Sequence, residues 1–579
     1  MSFVLRSGLQ PLKKVTITWS DLVHTQTGDK IPASLIDVRI VKCWFQAGKS
    51  LDRRTGDPKI LVPELLLHDS NLVQVDLLRQ VNIIRDYNKI TDSPSLLPFE
   101  VPPTFNQQLW ITVHVPSSTS PGTYQGSLNI ALEVDGASYQ QALPMQLNVL
   151  SESLNDPPFP ISLYYLGNYV QGYNGISCRS KSKDQLLSEM KDMRAHGLTN
   201  IGLCHYYSSD SSLTSLSVSL ENFRQAGFLR KELLYIDWQM TDSSDMVLYN
   251  KKLTAIKELS GKYNFTDVYI YNKDESDYQT YMSLQSTFIE AKKLGLKNFV
   301  ATKRVTALQL KDLLDVGIIP RCQLQERFGD PSALTLNSQL EEQNLEPYWC
   351  NPWSISDPVY FTIQSGKGVK KPGAYVTVSQ YFPSEAGKTY RLSYEILDYV
   401  KGYIVIAQGG GGCTTKDYNL PVTKGTHSVD FQCDITGGTL RLGFGTDTDL
   451  IIDNISVQNT DNQSSQKEFW AYNTPQAGQE TPGTYYVQYG PGLIKSGFKG
   501  ILNFAYQTGY PWDDWAEANW RPHVMAYPTL KDPIPTLQWE GFREAIDAIK
   551  IYYLTQQTPT PSPTPTPTPP EPPRGLKVQ

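Results

Sequence analysis

The sequence predicts a multidomain protein of mixed class, α/β with all-β parts: an N-terminal β-sandwich, a (β/α)8-type barrel, and a jelly-roll-like β-sandwich inserted into that barrel. Three observations lead there. Short runs that alternate apolar and polar residues fill the first 150 positions. Strand-like and helix-like stretches then take turns, and this cycle breaks off near residue 331 and resumes near 459. With 579 residues the chain has length for about three or four domains of ordinary size.

The N-terminal sandwich, residues 1–155, is carried by VTITW, ASLIDVRIVKCWF, LWITVHV, GSLNIALEV and MQLNVL, set apart by Gly, Pro, Ser and Asn clusters. From Leu109 to Leu132 the chain has the form of two strands joined by a Pro-Gly turn, where Gly122 is free to take a positive φ. After NDPPFP the period changes. ISLYYLGNY has the form of a strand and SKDQLLSEMKDMRAHG that of a helix. In it Ser182 and Gln185 suit a capping box, Leu186, Leu187, Met190 and Met193 share a face, and Gly197 suits the stop. The cycle returns through TNIGLCHYY, ELLYIDWQ, DVYIYN, KNFVATK and IIPRCQLQ with helices between, which implies a parallel sheet closed into a barrel over 156–330 and 459–556. No GxGxxG follows a strand, so a dinucleotide fold is disfavoured.

Residues 331–458 hold alternating runs such as YVTVSQYF and TLRLGFG without helical periodicity, as expected of an inserted sandwich. EFWAYN and GFKGILNFAY resume the barrel, and LQWEGFREAIDAIKIYYL is an amphipathic closing helix. The Pro-Thr tract at 557–573 suits a stiff extended spacer, and residues 574–579 look like the first strand of a truncated further domain. Spacers of this kind usually tether modules outside the cell, so an extracellular location is expected.

A net charge of −6 without a basic cluster argues against a nucleic-acid surface. No apolar run reaches the ~18 residues of a membrane span. The seven Cys show no CxxC or Cys/His spacing, and neither a metal nor an organic cofactor is expected. Cys413 and Cys433 fall in one predicted β module, where an oxidising compartment would let them pair, whereas Cys178 and Cys204 read equally well as buried thiols. The 34 Tyr and 11 Trp exceed what cores need and suit stacking on the apolar faces of sugars.

Barrel sites form where strands end, and DVYIYN runs directly into Lys273-Asp274-Glu275-Ser276-Asp277. Glycosidic cleavage needs one protonated carboxyl to give its proton to the leaving oxygen and a second negative group to stabilise the charge forming at the sugar carbon. Glu275, with the longer arm, suits the acid. Adjacent residues fit poorly on opposite sides of a bond, where an enzymic nucleophile stands about 5 to 5.5 Å from the acid, and this favours attack by a sugar 2-acetamido oxygen that Asp274 orients. The competing expectation is structural: Asp274, Ser276 or Asp277 as N-cap of a helix starting near Tyr278.

Weaker candidates for sugar stacking and hydroxyl hydrogen bonds lie near other strand ends: Tyr164, Tyr165, His205, Tyr206, Asp237, Trp238, Tyr271, Asn272, Trp470, Tyr472, Asn473 and Tyr506. Trp470 and Tyr472 are the preferred sugar platform, since alternate strand residues share a face. Trp512, Trp515 and Trp520 suit a wall over the cleft, or packing on the last helix.

YIYNKDESD resembles the strand-end Asp-Glu motif of glycoside hydrolase family 123 and its DUF4091-type relatives, β-N-acetylgalactosaminidases that use substrate assistance. LWITVHVPSSTSPGTYQGSL, EFWAYNTP with GFKGILNFAYQ, and AYPTLKDPIPTLQWEGFREAIDAI, with Pro533, Ile534, Pro535, Glu540 and Arg543, resemble further segments of that family in the same order. The likeness spans most of the chain outside the insert. It implies Asp274 as the acetamido-orienting group and Glu275 as general acid/base. Three positions depart from the pattern: Ser276 stands where proline is common, Gln538 where arginine is usual, and Ala548 where an acid is. SALTLNSQLEEQNLEPYWCNPWS and LIIDNISV resemble jelly-roll carbohydrate-binding modules, which implies a polysaccharide partner for the insert. The resulting expectation is a retaining, substrate-assisted hydrolase that removes a terminal 2-acetamido sugar from a glycan. Two expectations compete with it: a noncatalytic carbohydrate-binding or cell-surface protein on the same scaffold, and a glycosidase for another sugar.

Overall fold

Eight short stretches, apolar on both faces, close into a parallel barrel: β1 (Ile161–Tyr165), β2 (Gly202–Cys204), β3 (Glu232–Ile236), β4 (Asp267–Tyr271), β5 (Lys297–Ala301), β6 (Val316–Pro320), β7 (Glu468–Tyr472) and β8 (Ile501–Asn503). The computed structural model describes residues 1–46, 59–206, 212–238, 245–310, 312–320, 354–364, 367–381, 384–408, 412–436, 438–460, 468–474, 482–495, 498–509, 512 and 523–557. The Pro-Thr tract from 558 on, the segment 574–579, the opening stretch of the insert, Trp515 and Trp520 lie outside the described residues.

Helices α1 (Lys183–Ala195), α2 (Thr214–Gln225), α3 (Met246–Lys262), α4 (Tyr278–Ser283), α5 (Gln285–Lys293) and α6 (Arg304–Gln309) link the first six strands. α7 (Pro482–Tyr489) and α8 (Pro491–Lys495) lie between β7 and β8, and α9 (Leu537–Gln557) closes the chain. The sequence signals of α1 are realised. Ser182 and Gln185 form a reciprocal capping box, and Gly197 turns the chain at φ 91° just past the helix.

The lumen is filled in two tiers. Low in the barrel, Trp470 of β7 meets Tyr269 of β4 at 5.6 Å and Phe299 of β5 at 6.2 Å between ring centroids. Above them Tyr164 of β1 meets Tyr271 of β4 at 6.0 Å and Tyr472 of β7 at 6.2 Å. Residues two apart on one strand share a face and stand roughly 6.6 Å apart along it, so each of β4 and β7 supplies one ring to each tier.

Alongside a two-stranded sheet of Val73–Asp76 and Val81–Ile84, the N-terminal region forms two larger antiparallel sheets. One orders its strands Ser2–Arg6, Asn106–Val113, Ile36–Gln46 and Ile60–Leu67, and the other is built around Gly122–Val134. The two strands flanking the Pro-Gly turn therefore sit in different sheets, and the turn is a crossover between layers. Gly122 has φ 143°, and a Cβ there would lie 2.0 Å from the His24 Nε2, so close approach as well as backbone conformation demands glycine. This sandwich joins the barrel's C-terminal segment through Glu64, which is buried and accepts from Trp44 Nε1 at 2.6 Å, Gln46 Nε2 at 2.6 Å and the Tyr527 hydroxyl at 2.9 Å. Trp512 belongs to the same seam. Its ring packs on Trp44 and Tyr527, and its Nε1 donates to Pro528 O at 2.7 Å, which corrects its expected place as a cleft wall.

Between β6 and β7 the insert folds as two five-stranded antiparallel sheets. They face each other across Phe361, Val376, Val378, Leu392, Ile396, Leu440, Leu442 and Ile452, among others. No described helix is long and apolar enough to cross a membrane.

Candidate active site

The chain leaves β4 at the top of the barrel and turns at once. Tyr271, the last residue of the strand, accepts the Ala301 N–H at 2.9 Å and donates its own hydroxyl to Asp274 Oδ1 at 2.6 Å. Because the amide occupies the phenol oxygen as a donor, the phenol proton is directed to the carboxylate. The turn is pinned to β5 as well. Glu275 N donates to Ala301 O at 3.1 Å, Tyr281 on α4 donates to Ala301 O at 3.3 Å and accepts Ser276 N at 3.2 Å, and the Thr302 hydroxyl donates to Ser276 O at 3.3 Å. Glu275 sits at φ 40°, a left-handed conformation that costs energy in a residue with a Cβ and persists where surrounding bonds over-determine it.

The N-cap of α4 is Asp277, whose carboxylate accepts Thr280 N at 2.8 Å. Asp274 and Glu275 are left with other partners. Both are open to solvent at the barrel mouth, yet enough wall surrounds them to disfavour their charged forms. Burial raises the Asp274 pKa, against which the Tyr271 hydroxyl and Lys273 pull it down. Burial and then the Asp274 charge raise the Glu275 pKa, opposed by the Tyr472 hydroxyl that faces it. Two neighbouring carboxyls of this kind do not ionise together easily, and of the two it is Glu275 that carries the upward push of its neighbour's charge.

Aromatic rings pack in the lumen beside the pair. Tyr164 contacts Trp238 in a stacked arrangement at 6.4 Å and Phe504 edge-on at 5.4 Å, while Tyr206 meets Trp238 at 6.1 Å. The Tyr164 hydroxyl and Trp238 Nε1 are buried without a hydrogen-bond partner among the described residues. Such groups offer donors to a ligand placed between the rings and the carboxyls. Among the described residues no group of three or more His, Cys, Asp or Glu is placed to hold a metal ion.

The structure thus brings Tyr271, Tyr472, Trp238, Tyr164 and Tyr206 together with Asp274 and Glu275. It places Trp470, Tyr165, Tyr506 and Asn272 elsewhere, whereas Asp237 acts electrostatically on Tyr206 and Asn473 O accepts the Phe504 N–H at 3.0 Å. Trp470 is 1% exposed in the lower tier with its Nε1 on Glu468 Oε1 at 3.0 Å, so it underlies the site as a floor instead of forming a platform beside Tyr472. Tyr165 and Tyr506 point outward to α1, where their hydroxyls bond Glu189 at 2.6 Å and Asp192 at 2.8 Å. Asn272 also faces outward, accepting from Tyr249 at 2.5 Å and donating to Asn298 at 2.9 Å. His205 is buried with Nδ1 on the Tyr235 hydroxyl at 3.2 Å, Asp237 is buried, and Asn473 accepts the Thr474 amide at 2.8 Å. Phe504, Tyr281 and Ala301 were not singled out in sequence. Phe504 follows β8 directly, and its strand-end position was the available signal.

The arrangement defines a (β/α)8 barrel with a paired-carboxyl site at a strand end. No protein-family model and no curated protein matches the sequence. Among solved structures the chain is similar to a family 123 glycoside hydrolase from Clostridium perfringens, at 13% identity and a TM-score of 0.37, over 55% of this chain and 60% of that one. The chain therefore matches less than two thirds of that relative's length. It is also similar to a Paenibacillus cycloisomaltooligosaccharide glucanotransferase, with 8% identity, a TM-score of 0.21, and 87% and 73% of the two chains covered. A structure described as CBM4 matches with 16% identity and a TM-score of 0.16, over 23% of this chain and 99% of that one.

Proposed function

We propose that the barrel is a retaining glycoside hydrolase that removes a terminal 2-acetamido sugar with assistance from the substrate's own acetamido group. The observation that carries this is a pair of adjacent carboxyls at one strand end, each facing a tyrosine hydroxyl, in which Tyr271 donates to Asp274 and the Asp274 charge adds to burial in raising the Glu275 pKa. Glu275 enters protonated and transfers its proton to the glycosidic oxygen as the bond to the anomeric carbon breaks. The acetamido oxygen attacks that carbon, and Asp274, as carboxylate, accepts the acetamido N–H and stabilises the positive ring that forms. Glu275, now ionised, takes a proton from water as it opens the ring, which returns the acid and retains the configuration. Tyr164 and Trp238 supply apolar surface and two donors to the sugar.

The resemblance of YIYNKDESD to the family 123 motif supports a β-N-acetylgalactosaminide as substrate. The same proposal takes the protein to be extracellular, with the inserted sandwich holding polysaccharide near the barrel.

The test is hydrolysis of aryl β-N-acetylgalactosaminide and β-N-acetylglucosaminide beside the corresponding aryl galactoside and glucoside. Turnover confined to an acetamido substrate, and lost in Glu275→Gln and Asp274→Asn, is the expected result. Equal cleavage of the sugars lacking the acetamido group would overturn substrate assistance, and no cleavage of any would overturn the substrate class.

A further inference from the structure

Two cysteines of the insert come from opposite sheets. Cys433 follows the strand Gly425–Gln432 of one sheet and donates its N–H to Lys388 O at 3.0 Å. Cys413 lies next to Gly412, which bridges to Thr439 on the strand Thr439–Phe444 of the other sheet. The Cys413 N–H donates to Thr439 O at 3.1 Å, and the Asp434 N–H donates back to Cys413 O at 2.6 Å. The backbones are thus locked side by side by bonds that do not involve sulfur. Cys413 is 1% exposed and Cys433 0%, both are free thiols, and their side chains are close enough to perturb each other electrostatically. A Cβ at Gly438 would lie 2.7 Å from Cys413 Cβ, so the chain beside Cys413 packs closely enough to require glycine there. Ser384 Oγ accepts the Gly438 N–H at 2.7 Å and donates to Ile435 O at 3.0 Å, which holds the intervening connection in place.

A buried thiol usually serves as a small apolar filler. Filling alone would place each thiol against hydrocarbon. Here the two thiols neighbour each other across the two layers, and the bond from Asp434 N–H to Cys413 O holds their backbones side by side, the proximity a cross-link requires.

We propose that Cys413 and Cys433 form a disulfide that staples the two sheets of the inserted sandwich. The bond closes a loop of about 20 residues, a length for which the entropy removed from the unfolded chain is substantial. Oxidation by a small disulfide such as oxidised glutathione balances as follows. One protein thiolate attacks a glutathione sulfur and expels a glutathione thiolate. The second protein thiolate attacks the mixed disulfide and expels the other. Two protein thiols lose two protons and two electrons, and one glutathione disulfide becomes two thiols.

The experiment uses the full chain, unfolded in reductant and refolded in a mixture of reduced and oxidised glutathione, so that burial does not bar the oxidant. Free thiols are then alkylated and the protein is digested without reduction. The expected result is a peptide linking Cys413 to Cys433, a thiol titre at least two below the seven of the reduced chain, and loss of that peptide in Cys433→Ser. Alkylation of both residues in the refolded chain, or a link from either to another cysteine, would overturn the proposal. Thermal unfolding tests the staple: the oxidised insert should melt higher than that of a Cys413→Ala/Cys433→Ala chain by on the order of 10 °C. Equal melting would show that the bond holds nothing together.

Discussion

Glu540 and Glu275 are carboxyls crowded by the same barrel, and their surroundings move them in opposite directions. Burial works to raise Glu540, but His196 and Arg543 overcome it and hold the carboxyl at about 2. His196, flanked by Asp192 as well, is pushed up to about 9 despite its own burial. At the barrel mouth Glu275 has an acid neighbour and a tyrosine in place of cations, and its pKa goes up. Glu64 at the sandwich seam resembles Glu540 in having its donors supplied, from Trp44 and Gln46 of one strand and from Tyr527. The molecule thus satisfies the charges that tie its parts together and leaves poised the ones exposed to a ligand.

Removing the poised group should leave the fold intact and remove the chemistry. Glu275→Gln is expected to lower kcat/KM by about 10²- to 10⁴-fold with an unchanged melting temperature, checked by aryl glycoside kinetics beside thermal unfolding. Arg543 and His196 behave in the opposite way. Glu540→Ala should destabilise the chain by about 3 kcal/mol, because it leaves His196 buried with one partner fewer, and activity per folded molecule should persist. Denaturant titration of the two variants separates the cases, and a Glu275 variant that unfolds early would break the contrast.

The Glu540 and His196 shifts also set a pH window. The depressed Glu540 contributes stability above its usual value near 4.5, lost as pH falls toward about 2. The raised His196 contributes stability below its usual 6.5, lost as pH rises through about 9. The melting temperature should therefore fall on both sides, and Glu540→Gln should flatten both slopes. A smaller effect is expected at Tyr271→Phe. Without the phenol donor the Asp274 pKa rises, so the acid limb of kcat/KM moves to higher pH while the basic limb, set by Glu275, stays close to its place.

The barrel was legible because its first five strands are short apolar runs, each followed by a helix. That same property hid the orientation of individual side chains. Ile161–Tyr165 is buried at every position, so no polar alternation tells Tyr164, which faces the lumen, from Tyr165, which faces α1. Trp470 and Tyr472 do share a face as the strand period requires, but depth along the strand separates floor from mouth. Three residues of KDESD had similar claims to cap the next helix, and only the hydrogen bond from Thr280 assigns that task to Asp277. Trp512 was out of reach, since its partners Trp44 and Tyr527 are joined to it by long-range packing and not by local pattern.

Asp274, proposed as the carboxylate whose charge adds to burial in raising the Glu275 pKa, is tested most directly by the pH dependence of kcat/KM on an aryl 2-acetamido glycoside in wild type and Asp274→Asn. Removing the charge should move the basic limb, the ionisation of Glu275, to lower pH, along with a loss of rate. A basic limb that stays where it was, or moves upward, would contradict the account.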